Sequence, residues 1–415
     1  MIRFLIASPH SGAGKTVITL AIMRLLRKRG VKYQPAKSGP DYIDPKFHEV
    51  ASGESSVNLD AWAMRKEEIE NLAGSGNLVV EGAMGLFDGA GVSGVGSSAD
   101  LAKILSLPVI LVIDSGKTAH SIAAIVQGFK SFDNHVTVAG VILNRVASER
   151  HLNILRTALS KIDVPLLGFL FKSNIFSLSE RHLGLVQASE KQNLEHWIDI
   201  VSEALAPSLD LETLTELTSQ PNLKPQKNQK PPGQRIAVAR DVAFEFSYPH
   251  HLRSWRLAGA SISFFSPVAD EAVAKDADFI FLPGGYPELH AGQIEAAQRF
   301  RSSIKAHAAN DTPIYGECGG YMTLGDAIID EHGVSHEMLG LLKLETSFAD
   351  RKLHLGYRQL SSLGPHFEGP LRGHEFHYAS TLSAKGFPLF SAKDADNVQL
   401  PKMGICSGQT FGSFA

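Results

Sequence analysis

Short apolar runs rich in β-branched residues recur along the chain, each followed by a stretch in which apolar residues return every three or four positions. In the first half these runs are "IRFLIAS" (2–8), "NLVVEGA" (77–83), "LPVILVID" (107–114) and "VAGVILNRV" (138–146). They are nearly continuous in apolar residues rather than alternating, which predicts strands buried on both faces, as in a parallel sheet covered by helices. The pattern returns in "RIAVARD" (235–241), "SISFFSP" (261–267), "DFIFLPGG" (278–285) and "TPIYGE" (312–317). Between the two sets lies "TSQPNLKPQKNQKPPGQ" (218–234), polar and proline-rich, with too little apolar surface to order itself. The pattern predicts an α/β protein of two doubly wound domains, residues 1–205 and 235–415, joined by a linker over 206–234.

Composition narrows this little but excludes much. A chain of 415 residues is too long for one ordinary core, so two domains are expected. A net charge of −3 offers no basic stripe for a nucleic-acid backbone. The opening "MIRFLIASPHSGAGKT" is no signal peptide, because its apolar run leads straight into a glycine loop. No apolar run is long enough to span a membrane. Cys318 and Cys406 are too few for a disulfide framework or a zinc site, and the chain reads as cytoplasmic.

Chemistry-bearing residues cluster where the apolar runs end. "ASPHSGAGKTVITLAIMRLLRKRG" is a strand end, a glycine loop and an amphipathic helix. Gly12 and Gly14 let backbone N–H groups turn toward an anion at the positive end of that helix. Ser11, Gly12, Gly14, Lys15 and Thr16 are therefore the candidate ATP contacts, with Lys15 reaching the outer phosphates and the Thr16 hydroxyl ligating Mg²⁺. The strict P-loop pattern wants glycine where Pro9 stands, so the match is partial. "KSGPDYIDPKFH" (37–48) is too irregular for a helix or central strand and brings Lys, Asp and Tyr beside the nucleotide loop, where substrate contacts are usual. Glu81 ends the apolar run of "VVEGAMGLFDG" (79–89). A carboxylate there faces the ligand crevice of a parallel sheet and suits Mg²⁺, directly or through water; a cap of the next helix is the other reading.

In the second half, "YGECGGYMTLG" sets Cys318 at a strand-to-helix turn. The helix N-terminus favours the thiolate, and the following N–H can stabilise an oxyanion. The glycines after it argue against mere packing, although free cysteine is often buried. Cys406, in "MGICSGQT", has no such setting and reads as structural. "LPGGYPELHA" (282–291) ends another strand with two glycines whose amides could face a tetrahedral intermediate.

The segments "SGAGKT", "KSGPDYIDPKFH", "NLDAW" (58–62), "EGAMGLFDG", "GVILNRV" and "ERHLGLV" (180–186) stand in the order seen in the cobyrinic acid a,c-diamide synthases. The chain resembles that family throughout, linker excepted, and "GPDYIDP" is the most specific piece. The nucleotide domain of the family is similar to dethiobiotin synthetase. The resemblance implies Thr16, Asp44 and Glu81 around Mg²⁺, Lys37 facing the transferred phosphoryl group or the substrate carboxylate, and Asp41 and Tyr42 toward the substrate. The second half resembles the class I glutamine amidotransferases, which implies Cys318 as the nucleophile on glutamine and amides around Gly285 and Gly319 as its oxyanion hole.

A thiol nucleophile needs a base. In the family the catalytic histidine follows a segment resembling "FGSFA", and this chain ends at Ala415, one residue before that place. The expectation is a C-terminal truncation, with His374 or His377 of "RGHEFHYAS" as weak substitutes that otherwise shape the site, bind substrate or serve structure. The function implied is ATP- and glutamine-dependent amidation of the a and c acetates of cobyrinic or hydrogenobyrinic acid, an anionic tetrapyrrole, in cobalamin biosynthesis. The route is a phosphorylated carboxylate attacked by ammonia, and family likeness suggests a homodimer. Three other readings stand beside it: a nickel-sirohydrochlorin a,c-diamide synthase, a cobyric acid synthase (against which "GPDYIDP" speaks), and a P-loop regulatory ATPase with an inactive amidotransferase domain.

Overall fold

Each apolar run of the first half becomes a strand of one parallel sheet. The computed structural model describes residues 1–176, 193–223 and 230–415. The segment "ERHLGLV" and part of the proline-rich interval lie outside the described residues. The chain divides into two units, Met1–Gln226 and Lys227–Ala415.

The first unit contains β1 (Arg3–Ala7), β2 (Gln34–Ser38), β3 (Val57–Leu59), β4 (Leu78–Glu81), β5 (Val109–Asp114), β6 (Val138–Val146) and β7 (Leu166–Phe171). They pair in parallel in the order β3-β2-β4-β1-β5-β6-β7. Parallel pairing puts every carboxyl end on one edge, so the loops after β1, β2 and β4 share a crevice. Glycine loop and helix follow β1: the helix Lys15–Lys28 buries Val17, Ile18, Leu20, Ile22, Met23 and Leu26. Each such side chain contributes about 1.5–3 kcal/mol on burial, which fixes the helix and the loop it carries. Its outer charges, Arg24 and Lys28, pair with Glu195 and Asp199 of the helix Leu194–Leu205.

Strand β2, "QPAKS", escaped the apolar pattern although four of its five residues are buried. Its polar side chains are buried because they serve the crevice. Part of the expected linker is also folded. Residues 211–216 form a helix capped by Asp210, whose Oδ1 accepts from the Thr213 amide at 3.0 Å. Arg3 donates its amide to Leu217 O at 2.9 Å and its Nε to Ser219 Oγ at 3.1 Å. These contacts fasten residues up to about Asn222 to the first unit, where composition alone had placed a linker.

The second unit contains β8 (Arg235–Ala239), β9 (Ser261–Phe265), β10 (Phe279–Leu282), β11 (Ile314–Glu317), β12 (Ala327–Ile329), β13 (Ser335–Glu337), β14 (Lys343–Ser347), β15 (His354–Ser362), β16 (Pro370–His377), β17 (Ser380–Lys385), β18 (Phe387–Lys393), β19 (Gln399–Ser407) and β20 (Thr410–Ser413). Its main sheet runs β16-β15-β18-β19-β20-β11-β10-β8-β9, and β13-β12-β14-β17 form a smaller sheet. From β20 to β9 the pairing is parallel, which is the α/β core the sequence predicts. From β20 through β19, β18 and β15 to β16 it is antiparallel, a wing the sequence pattern did not announce. No helix among the described residues is long and apolar enough to cross a membrane.

Candidate active sites

In the first unit the glycine loop is shaped by close approach. Gly14 has φ 92°, and a Cβ on it would lie 2.0 Å from Asn144 Nδ2, so a side chain there would have to displace that amide and adopt a φ that favours glycine. Asn144, on β6, donates to Ala13 O at 2.9 Å, and Arg145 Nη1 donates to Gly12 O at 2.9 Å. Ser11 is exposed at the loop's tip. Lys15 folds back under the loop, donating to Ser8 Oγ at 3.0 Å and Met84 O at 2.6 Å. Burial, reinforced by the nearby Lys37 charge, lowers its pKa to about 8. The Ser8 hydroxyl thus helps to hold the lysine.

Beside the loop, polar groups meet on Glu81, which is wholly buried at the end of β4. The Thr16 hydroxyl donates to Oε1 at 2.7 Å and Lys37 Nζ donates to the same oxygen at 3.1 Å. Lys37 also bonds Asp44 and lies 3.9 Å from Asp41 Oδ2. Register puts Lys37 of β2 directly opposite Glu81 of β4, so the sheet itself fixes that pair. Burial opposes the Lys37 charge, but Asp44 and Glu81 outweigh it and hold its proton above the ordinary lysine range. Burial likewise opposes the Glu81 charge, yet Lys37 and His48 hold the carboxyl well below its usual range. Burial pushes Asp44 the other way, against the pull of Lys37 and with Glu81 adding to the push. The cluster therefore holds more acid oxygen than one ammonium satisfies. Asp41 accepts from the Ile43 amide at 2.8 Å, and Tyr42 follows it, half-buried in the same loop. His48, Asn144 and Arg145 were not singled out from the sequence, although all three lie inside segments quoted there.

In the second unit Cys318 directly follows β11 with φ 46° and caps the helix Gly319–Leu324. Positive φ in a residue with a side chain is strained, and the strain turns the thiol off the strand. The Cys318 amide donates to Ser413 O at 2.8 Å, so the carboxyl end of β20 lies beside the thiol. Gly285 and Gly319 come together: a Cβ on Gly319 would stand 3.0 Å from Gly285 N. The Gly319 N–H points at the sulfur and eases its charge, but burial, with Glu288 adding, pushes the thiol up to about 12. Glu288 is itself pushed up to about 8 by burial, and its Oε2 has no partner among the described residues. A thiol so held requires a base to become a nucleophile.

The two candidate histidines sit on β16 on either side of the Phe376 carbonyl, which is 3.9 Å from Cys318 Sγ. His377 is buried between Phe414 (centroids 3.8 Å) and His354 (4.6 Å). Its Nε2 meets Glu375 Oε1 at 2.9 Å, and its Nδ1 has no partner among the described residues, so this ring makes no hydrogen bond to Cys318. Glu375 is paired on its other oxygen with Arg358 at 2.7 and 2.8 Å. His374 lies across from Tyr357 on β15, with ring centroids 5.4 Å apart. Cys406 is half-buried and donates to Phe387 O at 3.5 Å, a contact of the β18–β19 pair.

Comparisons with known proteins bear on both units. Residues 4–186 match the family model of the CobQ/CobB/MinD/ParA nucleotide binding domain, and residues 235–415 that of the CobB/CobQ-like glutamine amidotransferase domain. The hydrogenobyrinate a,c-diamide synthase of Brucella anthropi is 50% identical over 99% of this chain and 97% of that protein. The protein of the same name from Brucella abortus is 51% identical over the same shares. That of a Sinorhizobium species is 48% identical over 100% of this chain and 98% of its own.

Proposed function

We propose, for a chain that belongs to the family of the hydrogenobyrinate a,c-diamide synthases, that it amidates the a and c acetates of hydrogenobyrinic acid or its cobalt analogue, with ATP and glutamine, in the cytoplasm. The observation that carries the reading is the meeting of Thr16 and Lys37 on Glu81, with Asp44 bonded to the same ammonium, beside the glycine loop.

A carboxylate resists nucleophilic attack until it is phosphorylated. Phosphoryl transfer asks chiefly for positioning and charge stabilisation. The loop amides and Lys15 bind the phosphates of ATP, and Lys37 neutralises the oxygens between phosphoryl group and substrate carboxylate. The donor set fits Mg²⁺, which takes oxygen ligands: Thr16, Asp44 and Glu81 supply a hydroxyl and two carboxylates with acid oxygen to spare. Held there, Mg²⁺ would neutralise charge on the outer phosphates. Asp41 and Tyr42, on the loop after β2, orient the tetrapyrrole's acetates. In the second domain Cys318, once a base has taken its proton, attacks the side-chain amide carbon of glutamine while the amides of Gly285 and Gly319 face the developing oxyanion. The C–N bond breaks as that proton passes to the departing ammonia, and water hydrolyses the remaining thioester to glutamate. Ammonia so released displaces phosphate from the activated acetate.

The test offers the chain hydrogenobyrinic acid and Mg–ATP with either glutamine or ammonium, and counts added amides by mass spectrometry. Two amides are expected with ammonium, and the same two with glutamine would show that a base reaches Cys318. Product with ammonium alone would retain the synthetase reading and withdraw the glutaminase role from this chain. No product from either donor, with this tetrapyrrole or its cobalt form, would overturn the assignment.

A further inference from the structure

His48 is wholly buried, lies beside the cluster just described, and has no part in the chemistry so far. Its Nε2 is 2.8 Å from Glu81 Oε2, and its Nδ1 is 3.2 Å from Ser56 Oγ. The two oxygens of Glu81 are thus divided. Oε1 receives Thr16 and Lys37, the groups that face the nucleotide, while Oε2 receives His48. The Glu81 carboxylate can only accept, so Nε2 carries the proton and donates. Nδ1 is then the atom that takes the Ser56 hydroxyl.

The backbone explains how the ring arrives there. The helix Asp44–Ser52 starts at Asp44, with proline at its next position, and His48 is four residues on. Side chains four apart share one helix face, so Asp44 and His48 reach the Glu81 cluster from the same side. Phe47 and Ala51 bury the rest of the helix, and the Ser52 hydroxyl bonds His48 O at 2.7 Å.

We propose that His48 is a positioning residue for Mg²⁺: it locks the Glu81 carboxylate so that Oε1, and not a freely turning pair of oxygens, is presented to the metal. The terminal torsion of a glutamate is broad, and nothing intrinsic holds it. Outer hydrogen bonds to ligating carboxylates supply that order, and losing one costs about 10- to 100-fold in metal affinity or activity. The inference rests on the nucleotide chemistry proposed above, but not on the identity of the tetrapyrrole.

The experiment titrates Mn²⁺, followed by electron paramagnetic resonance, into the full chain with a non-hydrolysable ATP analogue. Three proteins are compared: the parent, His48→Leu, which fills the space without a donor, and His48→Gln, whose amide nitrogen can stand near Nε2. His48→Leu is expected to weaken Mn²⁺ binding about tenfold or more, with metal-free nucleotide affinity in EDTA unchanged. His48→Gln is expected to bind Mn²⁺ clearly more tightly than His48→Leu, because its amide restores a donor near Glu81 Oε2. A folded His48→Leu protein that binds Mn²⁺ like the parent would overturn the proposal, as would a His48→Gln protein no better than His48→Leu. If His48→Leu does not fold, Ser56→Ala reports through the same ring: weaker Mn²⁺ binding supports the proposal, and parent affinity overturns it. If the parent itself retains no Mn²⁺ with nucleotide, the reading of the first domain fails and the role of His48 with it.

Discussion

His250 should make the second domain acid-sensitive, and a single substitution should remove its share of the effect, leaving that of His251, whose pKa desolvation lowers to about 4. The ring belongs to the helix Pro249–Leu257, is 5% exposed, and neither nitrogen has a partner among the described residues. Burial, with a contribution from His251, lowers its pKa from 6.5 to about 2. In the unfolded chain the same ring titrates near its ordinary value. Between pH 6.5 and about 2 the unfolded state therefore binds the extra proton, so stability falls as pH falls through that window. Above pH 6.5 its titration costs nothing. Each pH unit inside the window is worth about 1.4 kcal/mol, which gives a loss of about 2 kcal/mol at pH 5 relative to pH 8. His250→Leu removes the proton site together with two unpaired buried nitrogens. It should be neutral or slightly stabilising at pH 8, where replacing unsatisfied polar atoms costs little. At pH 5 it should exceed the parent by about 2 kcal/mol. Urea unfolding at both pH values measures this, with Trp255, the tryptophan of the second unit, as fluorescent reporter. Parallel losses in parent and variant between pH 8 and 5 would refute the reasoning.

Other outcomes follow from the same structure. Glu81→Gln keeps the shape but not the charge that Thr16, Lys37 and His48 all donate to; ammonium-dependent amidation should fall by about 10- to 100-fold, while glutamine hydrolysis stays at the parent rate. Equal loss of both activities would mean a folding defect instead. Cys318→Ser should abolish glutamine-dependent amidation and leave the ammonium-dependent rate within experimental scatter; persistent glutamine use would remove Cys318 from the mechanism. Gly320→Ala would place a Cβ 1.9 Å from Leu282 O, a backbone clash that should cost the second unit about 1–3 kcal/mol in urea unfolding. Parent-like stability there would show that the turn after Cys318 can yield.

Legibility in the sequence followed the physics of each region. Strands β1, β4, β5, β6, β8, β10 and β11 announced themselves because they lie inside their sheets and are largely apolar, whereas β9, largely exposed at the sheet's edge, was legible only from its run of isoleucine and phenylalanine. Strand β2 did not, since Lys37 and Ser38 are buried for the crevice and break the pattern. The antiparallel wing was invisible for another reason: β15 and β16 mix half-exposed and buried positions without clean alternation. The helix of residues 211–216 is held by contacts to Arg3 and β7 that composition cannot express. At the sites, Lys15, Thr16, Lys37, Asp44 and Glu81 could be read because each stands in a motif or at a strand end, and they do meet. Cys318 and its glycines were readable from the turn they require. His48, Asn144 and Glu288 were not, because each acts through a neighbour rather than through a motif of its own.

The close fit of Gly14 against Asn144 joins two positions that lie far apart in the chain. The amide of Asn144 fills the space a side chain at 14 would need, and in doing so holds Ala13 O. A side chain at 14 must push the Asn144 amide aside and adopt a φ that favours glycine, and a smaller residue at 144 opens the room but leaves that φ and forfeits the bond that steadies the loop. Along a lineage the two sites are tied: the first step at either passes through a weakened nucleotide loop, and the positive φ at 14 favours glycine there whatever stands at 144.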